Sequence, residues 1–549
     1  MTAYEAILTK NNGLVIAYNF EKSGLLISKM QKILCTAVAA LCLQTGPSLS
    51  EISFTSRSSV LTPSHSYDGE WEHYVGGGVA IFDCNQDYMP DLFAAGGTSS
   101  SHLYINSGKR SGDISFVAGD ISPILNTTGA YPLDVDGDKN IDLLVLRVGE
   151  NQLLRGDGTC HFTPAPASWG FEGGAAWSTA FSATFELGQN WPTFTIGNYV
   201  DLSNTNGPFE ACDGNQLLRP NDRGFAQSQT LAPGFCALSM LISDWKRDGT
   251  PELRISNDRQ YYVRDGREQM FSLSPLREYT EEQGWPTLRL WGMGIASQDI
   301  TGDGLPEVVL TSMGDQLLQI NKGAGRMVNA PYGIGTYAAR PYRGDDGRPS
   351  TGWHAQFGDI NNDGLADLFI AKGNVNQMPS NAINDPNNLL LQQKDGTFVE
   401  MGEIAKIDTT HRSRGAGLSD LNLDGLLDLV VINRRADMEV WQNTTPNTDH
   451  FLSILPLQDG INSGAIGAFI EVAAPNLPLQ TSEVTIGGGH VSGQLGPLHF
   501  GVGAATHARV RIIWPDQQKS DWVKVETGKH LLLTRSKSSS GPEFTVTLF

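Results

Sequence analysis

The segments DINNDGLAD, residues 359–367, and DLNLDGLLD, residues 420–428, decide the reading of this chain. Each sets an acid or amide at positions 1, 3, 5 and 9 of a short loop. Looser copies read DCNQDYMPD at 83–91, DVDGDKNID at 134–142, DWKRDGTPE at 244–252 and DITGDGLPE at 299–307. Alternating oxygen side chains on a tight turn suit a hard cation that takes several oxygen ligands, with Ca²⁺ the default. The copies start 51, 110, 55, 60 and 61 residues apart. The long interval predicts a worn copy near Phe185, in FELGQNWPT, which retains the proline and lacks the acids. Seven repeats of this period indicate a repeat architecture.

Short β-branched runs flank the motifs, such as 77–82 and 292–296 before them and 308–310, 368–370 and 429–432 after them. Such runs, bounded by Gly or Asn, read as buried strands. About 15 residues on, NQLL at 151 and 215, DQLL at 315 and NLLL at 388 begin a second hairpin, often closed by a Gly turn and an aromatic, as in Gly396-Thr397-Phe398. Two hairpins per repeat make a four-stranded blade, and seven blades close into an all-β propeller. An EF-hand is excluded, because it needs a Glu at position 12 and flanking helices. Position 12 here is Ile370 or Val431, and the flanks are strands.

The 549 residues exceed one ordinary core. The net charge of −20 argues against nucleic acid as a partner. Sixteen carboxylates lie in the five loops other than 244–252, so the acidity reads mainly as metal ligation.

Residues 30–50 have the form of a signal peptide: Met30-Gln31-Lys32, an apolar run from Ile33 to Leu43, then small residues at Ser48 and Ser50. Residues 1–29 read as an upstream extension, with Met30 the expected start. No later stretch is apolar enough for a transmembrane helix, and the mature chain is expected to be secreted, periplasmic or on the cell surface. Export would remove Cys35 and Cys42. The remaining Cys84, Cys160, Cys212 and Cys236 allow three pairings, of which Cys212 with Cys236 is the most local, or four reduced thiols.

The acidic hairpins resemble FG-GAP/VCBS repeats, the calcium-bearing blades of integrin-type propellers. The last hundred residues carry Gly464-Ala465-Ile466-Gly467-Ala468, Gly487-Gly488-Gly489, Ser492-Gly493-Gln494, His499-Phe500-Gly501-Val502-Gly503 and Ile513-Trp514-Pro515-Asp516. This order is similar to the ASPIC/UnbV domain found behind FG-GAP repeats in cartilage acidic protein and its bacterial relatives. The resemblance implies a propeller over 51–443, a linker at 444–449, a small β-rich domain over 450–549, and an extracellular or periplasmic calcium-binding protein. It implies no activity. It departs at the third blade, which lacks acids, and at Tyr88 and Lys139, which replace the usual glycine.

Five loops are expected to hold about five Ca²⁺ ions. The side-chain ligands are Asp83, Asn85, Asp87 and Asp91; Asp134, Asp136, Asp138 and Asp142; Asp299, Thr301, Asp303 and Glu307; Asp359, Asn361, Asp363 and Asp367; and Asp420, Asn422, Asp424 and Asp428. Position 7 should add a backbone carbonyl. At 244–252, Lys246 occupies a ligand position and can neutralise Asp244 and Asp248 instead.

No nucleophile elbow, zincin helix or Walker loop is present in the sequence. The favoured function is a recognition or adhesion module for an extracellular carbohydrate, protein or anionic ligand. The alternative is an extracytoplasmic enzyme, lyase-like or metabolite-tailoring, working at the channel mouth. His499 is the histidine that an enzyme reading would single out. Residues five to ten positions before each loop should reach the rim opposite the metals. They include Glu72, His73, Tyr74, Trp291, Trp353, His354, His411, Arg412 and Arg414, a set of aromatics and cations suited to a sugar-like or anionic ligand.

Overall fold

The computed structural model describes residues 52–549 except 205–210, 222, 259–262, 338–347, 376–377, 379, 447–448, 537–540 and 542. The expected signal segment and upstream extension lie outside the described residues, as does part of the expected linker.

Each acidic motif joins the first two strands of a four-stranded sheet. In the sixth repeat the order is Gly352–Gly358, Asp367–Lys372, Asn388–Gln392 and Phe398–Glu400, all antiparallel neighbours. Gly358 pairs with Asp367 across the loop, so positions 1 and 9 begin and end one hairpin turn. Seven sheets repeat this plan among the described residues. Their first strands touch in chain order and close on themselves, Ser413–Ser419 beside Val79–Phe82. The ring is a β-propeller, and its blades are numbered here in chain order. Blade 7 takes its outermost strand from the other end of the chain, Phe54–Ser56, with Phe54 opposite Asn443. This pairing ties the ends of the ring together.

The worn copy falls in phase: Ser178–Thr184 and Thr193–Asn198 pair with Thr184 opposite Thr193. There Glu186 accepts from Thr193 Oγ1 at 2.7 Å and from Arg219 Nε at 2.8 Å, so an ion pair stands where the other blades carry an acidic cluster. Disulfides join Cys84 to Cys160 and Cys212 to Cys236. The first links blade 1 to blade 2 and the second blade 3 to blade 4.

The C-terminal region forms two more four-stranded sheets. One holds His450–Gln458, Leu498–Gly503, Lys529–Arg535 and Thr545–Leu548; the other holds Phe469–Ala473, Gln480–Glu483, His507–Ile513 and Val523–Glu526. Val510, Ile512, Trp514, Leu531 and Leu533 fill the space between them. This core runs without a break into Tyr131, Phe181 and Phe194 of blades 2 and 3. Burial of apolar surface drives such joining at about 25 cal/mol per Å².

Residues 485–496 leave the second sheet and enter the propeller channel. Ile486 bridges Ala183 of blade 3, Gly487 bridges Leu241 of blade 4, Gly489 bridges Ile295 of blade 5, and Ser492 bridges Ala130 of blade 2. Gly493–Leu495 then run parallel to Ala80–Phe82 of blade 1 and add a fifth strand to that sheet. Only glycines admit this plug: a Cβ on Gly78 or Gly129 would lie 1.9 or 2.1 Å from the carbonyl oxygen of Val491.

Candidate metal centres and the face they build

The six acidic loops share one backbone course. Position 6 has positive φ in all of them, at Tyr88, Lys139, Gly249, Gly304, Gly364 and Gly425. Position 4 does too, at Gln86, Gly137, Arg247, Gly302, Asn362 and Leu423. A non-glycine residue there costs about 1 kcal/mol, and hydrogen bonds offset it. The position-1 carboxylate accepts the N–H of position 6 at 2.7 Å from Gly364 and 2.9 Å from Lys139. The position-9 carboxylate accepts the N–H of position 2 with one oxygen and an N–H of the third strand with the other. In blade 6 Asp367 takes Ile360 and Gln392, each at 2.9 Å; in blade 7 Asp428 takes Leu421 and Asn443, each at 2.8 Å. Blades 1, 2 and 5 repeat the arrangement through Asp91, Asp142 and Glu307.

These bonds bring like charges together under cover. Burial and the neighbouring Asp363 raise Asp359 well above the carboxylate range; burial, Asp359 and Asp363 do the same for Asp367. Burial and Asp424 push Asp420 up to about 8, and Asp428 is raised by burial, Asp420 and Asp424. Burial also lifts Asp142 to about 8, Asp91 and Glu307 to about 7, and Asp134 and Asp299 to about 6. In blades 6 and 7, two buried acids, a half-buried third and an amide oxygen on one turn form an oxygen-only donor set that a divalent hard cation would neutralise. The residues present fit Ca²⁺.

Two loops carry cations of their own. In blade 4, Lys246 Nζ lies 2.8 Å from Glu252 Oε1 and 3.6 Å from Asp248 Oδ2. Of the two acids expected to take Lys246, Asp248 does and Asp244 does not. The structure replaces Asp244 with Glu252, because Asp244 is held by the N–H groups of Asp248 and Gly249. In blade 2, oxygens of Asp134, Asp136 and Asp138 lie within 4.8 Å of one another. Arg155 Nη2 reaches Asp136 at 2.9 Å and Asp138 at 2.8 Å.

The C-terminal domain sits on this loop face. Ser463 donates to Asp134, Lys139 pairs with Asp459 at 3.1 Å, and Arg247 pairs with Glu471 at 3.0 Å. A Cβ on Gly364 or Gly425 would strike Leu477 or Phe451. His499 Nε2 lies 2.7 Å from Asn362 Oδ1, and its ring stacks on Phe451. Burial lowers its pKa to about 3. His499 is thus a wedge between domain and loop.

The family comparison adds to this geometry. FG-GAP-like repeat models match residues 83–145, 299–370 and 359–431, and an ASPIC and UnbV model matches 458–540. The chain is an FG-GAP repeat protein with a C-terminal ASPIC/UnbV domain. The FG-GAP matches cover the loops of blades 1, 2, 5, 6 and 7, and the ASPIC/UnbV match covers the plug. No curated protein matches the chain. Among solved structures, BBS1N in complex with ARL6DN is 9% identical, with 72% of this chain and 99% of that one covered and a TM-score of 0.43. A lectin of Agrocybe aegerita that recognises terminal N-acetylglucosamine is 14% identical, over 65% and 75%, with a TM-score of 0.29. The extracellular domain of the hybrid two component system BT3049 of B. thetaiotaomicron is 8% identical, over 86% and 57%, with a TM-score of 0.39.

The residues expected at the opposite rim divide. His73, Trp353, His354 and Arg414 are buried, which corrects their expected exposure. Arg414 lies over the Trp353 ring at 4.2 Å and donates to the carbonyls of Tyr74 and Gly373. His354 Nδ1 accepts the N–H of His490 at 3.1 Å. These side chains pack around the plug. Glu72, Tyr74, Trp291 and Arg412 are half-buried, and His411 is exposed and paired with Glu439 at 2.7 Å. The plug itself was not foreseen. Its one sequence signal is small residues on both sides: Gly487-Gly488-Gly489 in the plug, and Gly78 and Gly129 of the inner strands against its Val491.

Proposed function

We propose that this FG-GAP repeat protein is an exported, calcium-loaded recognition module that binds an extracytoplasmic carbohydrate or protein ligand. The observation that carries the reading is the cluster of Asp359, Asp363 and Asp367, three acids raised together by burial on one turn. Calcium would hold each hairpin and, through the loops, the C-terminal domain above them. Blades 6 and 7 are the strongest sites. Blade 2 is weaker, since an incoming ion must displace Arg155. Blade 4 takes none. No helix among the described residues is long and apolar enough to cross a membrane, and both disulfides suit an oxidising compartment. The plug makes the ASPIC/UnbV domain a fixed part of the binding head.

The test is a screen of calcium-loaded protein against glycan and protein arrays, with product analysis on any hit. Saturable binding without turnover is expected. Conversion of a bound polymer would make the protein an enzyme and overturn the reading.

A further inference from the structure

We propose that the cleft between blades 5–7 and the ASPIC/UnbV domain is a binding site for one neutral pyranose ring. The inference rests on the recognition reading above and names its ligand class. The plug is off-centre. Its two limbs follow blades 3 and 4 inward and blades 2 and 1 outward, which leaves the loop ends of the inner strands of blades 5 and 6 uncovered. There Ser297, Gln298, Gln356, Phe357 and Gly358 are half-exposed, although the rest of their strands is buried. The resulting cleft has a volume of about 260 Å³ and is roofed by residues 478–485 and 494–500. Ligand clefts begin at roughly 300 Å³, so this one suits a single ring and not a polymer segment.

Its chemistry selects the ligand. Among the described residues no lysine or arginine lines it, so an anion finds no partner. The lining acids are committed elsewhere: Asp299, Asp359 and Asp420 hold their own loop N–H groups, and Glu483 holds Ser243 Oγ and the N–H of Asp244. What remains is amide, hydroxyl and imidazole. Gln356 accepts from Leu418 N at 2.9 Å and donates to Gln494 Oε1 at 3.0 Å, which holds Gln494 by its oxygen at the cleft wall. His354 uses Nδ1 as acceptor, so Nε2 carries the proton and faces Gln356, on a side chain only 4% exposed. A hydroxyl-rich ring can both donate to and accept from such amides and hydroxyls. Ile81, Ala416 and Leu418 supply an apolar wall for the ring's C–H face.

Gly496 provides the test. It lines the cleft, and a Cβ there meets nothing within 4 Å, so Gly496→Leu fills the space without touching the core. Saturation-transfer NMR on the full calcium-loaded chain would use D-glucose, D-galactose and D-mannose, with glucosamine and glucuronate as charged counterparts. At least one neutral hexose should bind, glucuronate should not, and Gly496→Leu should abolish the signal while melting temperature and calcium content hold. If Gly496→Leu does not fold, Gln494→Leu should weaken the hexose about tenfold, the loss of one good hydrogen bond. The proposal is overturned by no neutral hexose binding, by preference for either charged sugar, or by binding unchanged in the folded variant. Array binding that survives Gly496→Leu would remove this site and leave the recognition reading standing.

Discussion

At the residue scale the loops are not equivalent, and single substitutions should rank them. Asp363→Ala should remove one calcium ion and destabilise, because the remaining buried acids lose their counter-ion. Asp248→Ala should leave the ion count unchanged, since Lys246 already bridges Asp248 and Glu252. Elemental analysis of the purified variants decides between them; an ion lost on Asp248→Ala would contradict the ranking. Arg155→Gln should tighten the blade-2 site by removing a competing cation from Asp136 and Asp138. Calcium titration should show one site moving to higher affinity and the others unmoved. The turn that gathers positions 1, 3, 5 and 9 was legible in the sequence because an acid, amide or hydroxyl recurs at each of them in five copies. The partners of Lys246 and Arg155 were not. A long cation reaches whatever acid the fold brings near, and Arg155 lies 13 residues beyond the last acid of its loop.

At the scale of elements, the plug is the feature that sets the channel. His490 is its most constrained member. Nε2 accepts the N–H of Gly76 at 3.2 Å and Nδ1 donates to Leu238 O at 3.2 Å, so both nitrogens are committed to the neutral ring. Burial, with Arg414 nearby, lowers its pKa to about 3. His354 packs against the same turn and is lowered to about 4 by burial. An unfolded histidine titrates near 6.5, about three units higher. Above that pH both states are neutral and His490 exerts no pH effect. Below it the unfolded chain takes up the proton first, so stability falls as pH falls, by about 1.4 kcal/mol per pH unit for this group. Urea unfolding in saturating calcium at pH 7 and 5.5 should show a steeper loss for the parent than for His490→Asn. Equal slopes would rule out protonation of His490 as a cause. A bulkier test is Gly129→Val, which drives a side chain into Val491 O. It should destabilise by about 3 kcal/mol, the upper range of overpacking, and speed proteolysis within 485–496.

The blades themselves were legible because their hairpins repeat, and each repeat carries its own turn signal. The seventh blade's outer strand was not, since Phe54–Ser56 lies hundreds of residues from its partner and three residues carry no periodicity. The plug was hidden for a related reason. Residues 485–496 read as a Gly-rich loop, and only the channel's facing glycines show that backbone must pass between them. Four of the nine rim candidates were misplaced because a strand's rise locates a residue along the channel but does not tell whether another segment fills it.

At the scale of the whole molecule, the propeller and the ASPIC/UnbV domain share one core, and the loop face lies between them. Removing 450–549 would expose that core and empty the channel, so the truncated propeller should melt below the full chain or fail to fold; a truncated ring with unchanged melting temperature would show the domain to be a passenger. Much of the formal charge of −20 sits on this face, with sixteen carboxylates in the five loops other than 244–252. At free calcium 100-fold above a site's dissociation constant, each ion adds about 2.7 kcal/mol. The most direct measurement is a melting curve of the chain with bound metal counted by elemental analysis, before and after chelation. The account predicts about five calcium ions for the five intact loops and a marked fall in melting temperature when they are removed. An unchanged curve in excess chelator, with removal confirmed, would contradict it.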